Sequence, residues 1–306
     1  DLNNDGIDDF AMGAPFGDPP GTFGGGEIFV VFGTASPFSS TFDLALLNGV
    51  NGMRIDGIGG GQAGRALDFV GDVNADGIDD LLIADYRQQN DSGVGSGQCY
   101  IIFGSDDPLP AVLNLSSLNG SNGFRINGID STDEAGISVS SAGDMNGDGV
   151  GDIAIGAWFA DDASFSNVGE VYVVFGSAEG FPPAINAADL DGTNGFTFRG
   201  TQDSQLVGEI VAGGVDVSGD GIDDLLITSP NADPNFRMNA GECYVIFGKR
   251  APCLADVNGD GQASAADFTA WIVAFNANAP ACDQNEDGDC TPADFTAWIA
   301  NFNAGC

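Results

Sequence analysis

DLNNDGIDD (1–9), DVNADGIDD (72–80), DMNGDGVGD (144–152) and DVSGDGIDD (216–224) are four copies of one pattern, D-x-[NS]-x-D-G-[IV]-x-D, set 71, 72 and 72 residues apart. A second landmark, G-x-[IVC]-[FY]-[VI]-[VI]-F-G, follows each copy at Gly26, Gly97, Gly169 and Gly241. A third, NGMRIDGI, NGFRINGI or NGFTFRGT, closes the first three units. Landmarks in fixed order at fixed spacing mean tandem structural units. Within each unit, short apolar, β-branched segments alternate with Gly, Asn and Asp turns, which is strand chemistry. In the third unit the strands fall near Ile137–Ser141, Asp152–Ala157, Glu170–Phe175 and Gly195–Arg199; we term them A, B, C and D. Four strands per unit without helical periodicity describe an all-β fold and a propeller blade, with a β-sandwich as the runner-up.

The repeated acidic pattern also carries chemistry. Carboxylates crowded into a short loop repel one another unless a cation sits among them, and calcium takes six to eight hard oxygens that alternate residues of a tight loop can supply. The expected donors are Asp1, Asn3, Asp5, the Ile7 carbonyl and Asp9; Asp72, Asn74, Asp76, Ile78 and Asp80; Asp144, Asn146, Asp148, Val150 and Asp152; and Asp216, Ser218, Asp220, Ile222 and Asp224. An Asx-rich turn with no metal is the plainer reading of any single copy, but it does not account for the final Asp recurring four residues beyond the third donor. The loops read as structural sites, because a hydrolytic metal centre needs an open position and a nearby base.

Composition narrows the function. The 306 residues carry 8 Lys plus Arg against 45 Asp plus Glu, a net charge of −37, which argues against nucleic acid and anionic membranes as partners. An acidic, salt-adapted surface accounts for part of that charge but not for its spacing. No apolar run is long enough to span a membrane. The chain has no His, so triad chemistry has no base, and no carboxylate pair stands apart from the acidic loops. Absence of His and of CxxC pairs also disfavours zinc at the cysteine cluster. Cys253, Cys282, Cys290 and Cys306 instead read as two disulfides of an oxidising compartment. The pseudo-twofold arrangement of two loop-helix units favours Cys253–Cys306 and Cys282–Cys290 among the three pairings. Cys99 and Cys243 occupy one position of two repeats and read as buried small hydrophobes.

The F-G that ends strand C and the Gly13-Ala14-Pro15 that follows the first strand B resemble the FG-GAP repeats of integrin α-subunits, across residues 1–249. This resemblance implies a partial, truncated propeller, seven-bladed in the parent, because the strand order B-C-D, A-B-C-D, A-B-C-D, A-B-C makes three and a half blades. It also implies that upstream blades are missing, and a half-ring with uncovered faces should self-associate. The face opposite the calcium loops, with Phe16, Tyr86, Arg87, Trp158, Phe159 and Phe236, is then the expected binding surface for a protein or glycan ligand. Loop-to-loop packing is the alternative role of these aromatics.

Beyond Gly248 the composition changes. Two twelve-residue loops, DVNGDGQASAAD from Asp256 and DQNEDGDCTPAD from Asp283, each run into an apolar helical stretch, FTAWIVAF from Phe268 and FTAWIANF from Phe295. The register is that of an EF-hand, with expected donors Asp256, Asn258, Asp260, Gln262, Ser264 and Asp267, then Asp283, Asn285, Asp287, Asp289, Thr291 and Asp294. Trp271 and Trp298 are expected in the core. The duplicated unit resembles dockerin domains, so residues 250–306 are assigned to a small α-helical module. The resemblance implies a cohesin-like or surface-anchoring partner. Ala265-Ala266 and Pro292-Ala293 depart from the hydroxylated pair that many dockerins use for recognition.

Together these readings lead us to expect about six Ca2+ ions and a non-enzymatic, secreted or cell-surface bacterial protein, with no membrane insertion, that works in adhesion or scaffolding. The rival expectation is the non-catalytic C-terminal part of an extracellular hydrolase.

Overall fold

The computed structural model describes residues 1–90, 93–249, 257, 264–277, 279–284 and 289–304. It divides into two compact units, the first spanning Asp1–Met145 and Gly149–Gly248.

The first unit contains sixteen strands in four sheets. Sheet 1 holds β1 (Phe10–Ala14), β2 (Glu27–Val31) and β3 (Gly52–Asp56), with β7 (Val112–Asn114) on its edge. Sheet 2 runs β4 (Leu67–Gly71), β5 (Asp80–Asp85), β6 (Gln98–Ile102) and β8 (Gly123–Asn127), edged by β12 (Ala184–Asn186). Sheet 3 is β9 (Ser138–Gly143), β10 (Asp152–Ala157), β11 (Glu170–Val174) and β13 (Gly195–Arg199), and sheet 4 is β14 (Val211–Val215), β15 (Asp224–Ser229) and β16 (Glu242–Ile246). The A-to-D strands pair antiparallel in sequence order, as in Ile153↔Val174 and Val173↔Phe196.

All fourteen expected strands form in the expected order. The other two, β7 and β12, come from the C–D connection of one repeat and pair parallel with strand D of the repeat before it, at Arg54↔Val112 and Arg125↔Ala184. Each is three residues long, too short to show a period of two. Their effect is to cover an exposed strand edge, a common site of unwanted pairing.

Strand alternation sends successive side chains to opposite faces, and both faces of the inner sheets are buried. Leu81, Ile83, Tyr100 and Ile102 pack toward sheet 1 against Ile28, Val30, Met53 and Ile55. Leu82, Ala84, Cys99 and Ile101 pack the other way, against Ile153, Ile155, Tyr172 and Val174 of sheet 3. Ala154, Val171 and Val173 in turn meet Val211, Leu225 and Ile227 of sheet 4. Each such side chain contributes roughly 1.5–3 kcal/mol when fully buried, so the stack is held mainly by sheet-on-sheet contact.

At the ends of the stack the same positions stay open. Phe10 and Met12 on sheet 1, and Val245 and Phe247 on or beside β16, are exposed. Cys243 is therefore exposed while its counterpart Cys99 is buried, which corrects the expectation of two buried thiols. The two residues occupy equivalent strand positions, but among the described residues no further sheet covers the outer face of β16.

In the second unit, α1 (Ala265–Ala277) and α2 (Pro292–Ala304) carry the two apolar stretches. Ser264 and Thr291 precede them; Asp267 and Asp294 reach back to the Ser264 and Thr291 amides, and the Ser264 and Thr291 hydroxyls accept from the Ala266 and Ala293 amides, which caps both helix starts. Trp271 and Trp298 are core residues, 5% and 6% exposed. The Phe268 ring lies 5.2 Å from that of Trp298, and the Trp271 ring 5.5 Å from that of Phe295. Trp271 Nε1 donates to the Cys282 carbonyl at 3.1 Å, and Cys282 is joined to Cys290 with their Cα atoms 5.6 Å apart. Cys253 and Cys306 lie outside the described residues. Among the described residues, no helix is long and apolar enough to cross a membrane.

Candidate metal sites

In the second, third and fourth repeats the acidic motif forms the hairpin loop between strands A and B, and in the first it leads directly into strand B; each loop is organised by its own carboxylates. In the second repeat, Asp72 accepts hydrogen bonds from the Asp76 and Gly77 amides at 3.0 and 2.7 Å. Asn74 accepts from the Asp76 amide, and Asp76 from the Ile78 amide at 2.9 Å. Gly77 takes a positive φ of 88°, which L side chains adopt only with strain. The same bonds recur in the first repeat among Asp1, Asn3, Asp5 and Ile7. They recur in the fourth among Asp216, Asp220, Gly221 and Ile222, and in the third Asp144 accepts from Gly149 and Asn146 from Asp148. At Asp216 these amides, Gly221 foremost, hold the carboxyl below its ordinary range.

The last Asp of each motif, expected from the sequence as a metal donor, has a structural task that the sequence reading does not assign. Asp152 is fully buried, and its two oxygens accept from the Met145 and Gly176 amides at 2.8 and 2.9 Å. Asp9 does the same with Leu2 and Gly33, Asp80 with Val73 and Gly104, and Asp224 with Val217 and Gly248. This carboxylate therefore ties the start of the loop to the glycine of the F-G landmark, 24 residues on. Burial pushes Asp80 up to about 7, against the two amides that favour its ionised form, with Asp76 and Asp72 raising it further. The signal was present in the sequence as the constant 24-residue spacing, but an Asp in an acidic loop reads first as a metal donor.

The landmark glycine is required by close approach. A Cβ on Gly104 would meet the Asp79 carbonyl oxygen at 2.4 Å and that of Leu2 at 3.1 Å. Neighbouring repeats also touch through these loops. The Gly151 amide donates to the Asp72 carbonyl, the Asp144 amide to Asp223, and the Ser177 amide to the Val73 carbonyl, each at 2.9 Å.

The donors at positions one, three and five are hard oxygens on exposed loop tips, a set that suits Ca2+ rather than a softer metal. Among the described residues, no three acids or cysteines converge into a ready-made cluster; the Asn, Ser and carbonyl oxygens make up the rest of each donor set. In the C-terminal unit, Asp267, Asp283, Asp289 and Asp294 are described, and Asp267 and Asp294 stand at the helix starts. Asp256, Asn258, Asp260, Gln262, Asn285 and Asp287 lie outside the described residues.

On the opposite loops the aromatic set is divided. Phe16 and Phe236 are exposed, whereas Tyr86 is buried. The Tyr86 hydroxyl donates to Gln62, and the Arg65 and Arg87 guanidinium carbons each lie 5.3 Å from its ring centre. Trp158 stacks on Phe159 at 4.4 Å and donates from Nε1 to Glu134 at 3.0 Å. Tyr86 and Trp158 thus join loops together. The surface offered to solvent comes from Phe16, Phe236 and Arg87.

Residues 207–246, which span strands β14 to β16 and the fourth acidic loop, match the FG-GAP repeat family. The chain is 30% identical over 205 residues to integrin alpha pat-2 of Caenorhabditis elegans, covering 62% of this chain and 15% of that protein. It is 25% identical over 239 residues to integrin alpha-5 of Xenopus laevis, covering 76% and 19%. It is also 30% identical over 176 residues to phosphatidylinositol-glycan-specific phospholipase D of Mus musculus, covering 56% and 18%. The chain thus spans less than a fifth of the length of each of these relatives.

Proposed function

We propose that this chain is a calcium-stabilised segment of an integrin-α-like β-propeller, followed by a dockerin-like EF-hand pair, in a secreted or cell-surface protein of adhesion or scaffolding. The observation that carries this reading is the four-fold recurrence of one oxygen-rich loop in which the first Asp accepts from the glycine amide five residues on. Its donor set fits Ca2+. The propeller is the ligand platform and the C-terminal helices the docking or anchoring element, and neither has a catalytic role. Calorimetric titration of the whole chain tests the metal: about six ions are expected, one per loop, and fewer than three would overturn the reading. Chelation should lower the melting temperature, since a ligand bound by the native state alone stabilises it.

The similarity to a phospholipase D supports a second reading, in which these repeats are the non-catalytic part of an extracellular hydrolase. The full reading frame separates the two: further repeats upstream favour adhesion, and a catalytic domain favours the hydrolase.

A further inference from the structure

Between sheets 1 and 2, a cavity of about 410 Å3 is lined by Gln88, Gln98, Tyr100, Leu115, Arg125 and Asn127, among others. Comparison of the repeats shows what is unusual here. In the first, Arg54 bonds Asp56 through Nε and Nη2 at 2.6 and 3.1 Å, and Glu27 lies 3.7 Å away. In the third, Thr197 stands at the arginine position, and Arg199, at the position of Asp56, pairs with Glu170. The second repeat keeps the arginine, as Arg125, but replaces both acids by amides, with Gln98 at the position of Glu27 and Asn127 at that of Asp56.

These amides satisfy one another. Gln98 Nε2 donates to Asn127 Oδ1 at 2.7 Å, Gln98 Oε1 accepts from the Tyr100 hydroxyl at 2.7 Å, and Asn127 Nδ2 donates to Asn186 at 2.9 Å. The result is a neutral, pre-ordered wall beside a guanidinium with no carboxylate in ion-pair range among the described residues. In a chain with 45 acids and 8 bases, this leaves a cation open where Arg54, its counterpart in the first repeat, is neutralised. Gln88, 8% exposed, adds a buried Oε1 acceptor that has no hydrogen-bond partner among the described residues.

We infer that this cavity binds an acidic sugar unit, its carboxylate on Arg125 and a ring hydroxyl donating to Gln88. Arg presents a planar fork that matches a carboxylate, and an unsatisfied buried acceptor favours a ligand that carries a donor beside its anion. A hydroxylated ring bearing one carboxylate supplies both, and Leu115 and Ile58 give its less polar face a wall. The volume lies within the range of small-molecule sites. The inference does not rest on the calcium reading.

The test is a titration of the whole chain with glucuronate, glucose and N-acetylaspartate, followed by calorimetry or ligand-observed NMR. Saturable glucuronate binding is expected, with glucose and the peptide-like acid each at least ten-fold weaker. Arg125→Gln should weaken glucuronate roughly ten- to hundred-fold, the range for losing a charged hydrogen bond. Asn127→Asp, which recreates the acid found beside Arg54, should abolish the preference for glucuronate over glucose while the melting temperature shows the fold intact. No glucuronate binding, equal binding of glucose, tighter binding of N-acetylaspartate, or glucuronate affinity unchanged in both variants would each overturn the assignment.

Discussion

Replacing Asp152 by Ala separates the two tasks of the acidic loop. Asp152 is fully buried and accepts the Met145 and Gly176 amides. Removing it leaves both N–H groups without that acceptor, inside a unit whose neighbours are close-packed. A hydrogen bond to a charged group contributes roughly 1.5–3 kcal/mol, so two give about 3–6 kcal/mol. At roughly 2–4 °C per kcal/mol for a unit of this size, the melting temperature should fall by about 6–24 °C. Differential scanning calorimetry in calcium and in chelator reads the effect. Because the amides need the carboxylate whether or not metal is bound, most of the loss should persist in chelator. Asp148→Ala, at the exposed tip of the same loop, supplies the contrast: it should lower stability in calcium and change little in chelator. If Asp152→Ala melted within about 2 °C of the parent in chelator, the tether between loop start and F-G glycine would contribute nothing and the reasoning would fail.

Asp85 is fully buried, neither of its oxygens has a well-formed hydrogen bond among the described residues, and burial pushes it up to about 8 against the nearby Gln88 amide, which favours the ionised form. Since the folded value is raised, the folded form holds its proton longer than the unfolded chain. Stability contributed by the protonated acid is full below about pH 4 and is lost as pH rises through about 8. Asp85→Ala, which restores the residue found at Ala14 and Ala157, should raise the melting temperature most above pH 8; a difference between variant and parent that does not change with pH would refute this account. Gly104→Ala should destabilise the N-terminal unit by several kcal/mol, because a Cβ 2.4 Å from the Asp79 carbonyl forces backbone to move; equal denaturant midpoints for variant and parent would count against the close-approach argument. The uncovered end faces should make the whole chain associate with increasing concentration, and light scattering that reports a monomer throughout would show that they are tolerated in water.

The strands were legible because two independent patterns agreed on them. Alternation fixed each short segment, and the 72-residue interval let one unit correct another, so the B strand Asp152–Ala157 and the D strand Gly195–Arg199 were placed to the residue. What escaped notice was whatever lacked a period or a distinctive residue type. β7 and β12 show neither. The tethering role of Asp9, Asp80, Asp152 and Asp224 was hidden by chemistry: a carboxylate that accepts backbone amides and one that ligates a cation are the same residue in the same kind of loop. The neutral wall around Arg125 was visible in principle, as Gln98 standing where Glu27, Glu170 and Glu242 stand elsewhere. Its significance needed the cross-strand pairing of Gln98 with Asn127.

Equivalent residues with unequal fates show how far the repeats depend on one another. The second residue of each acidic motif is apolar, and Leu2, Val73 and Met145 are 0%, 2% and 3% exposed, whereas Val217 is 56% exposed. The position is apolar in all four copies, so burial is decided by whether a neighbouring repeat lies over the loop: the Leu2 and Val73 carbonyls accept the Ser105 and Ser177 amides of the next unit. The acidic loop is therefore also a coupling element. Its carboxylates order the loop tip, its last Asp ties the loop start to the glycine after strand C of the same sheet, and its second residue inserts beneath the following sheet. In a stack where each unit contacts only its neighbours, stability is a sum of unit and interface terms. A cation that stiffens one loop would then act on both kinds of term at once. That is a physical reason for placing the acidic motif immediately before strand B of every repeat rather than on the opposite loops, where the aromatic and arginine residues vary from unit to unit.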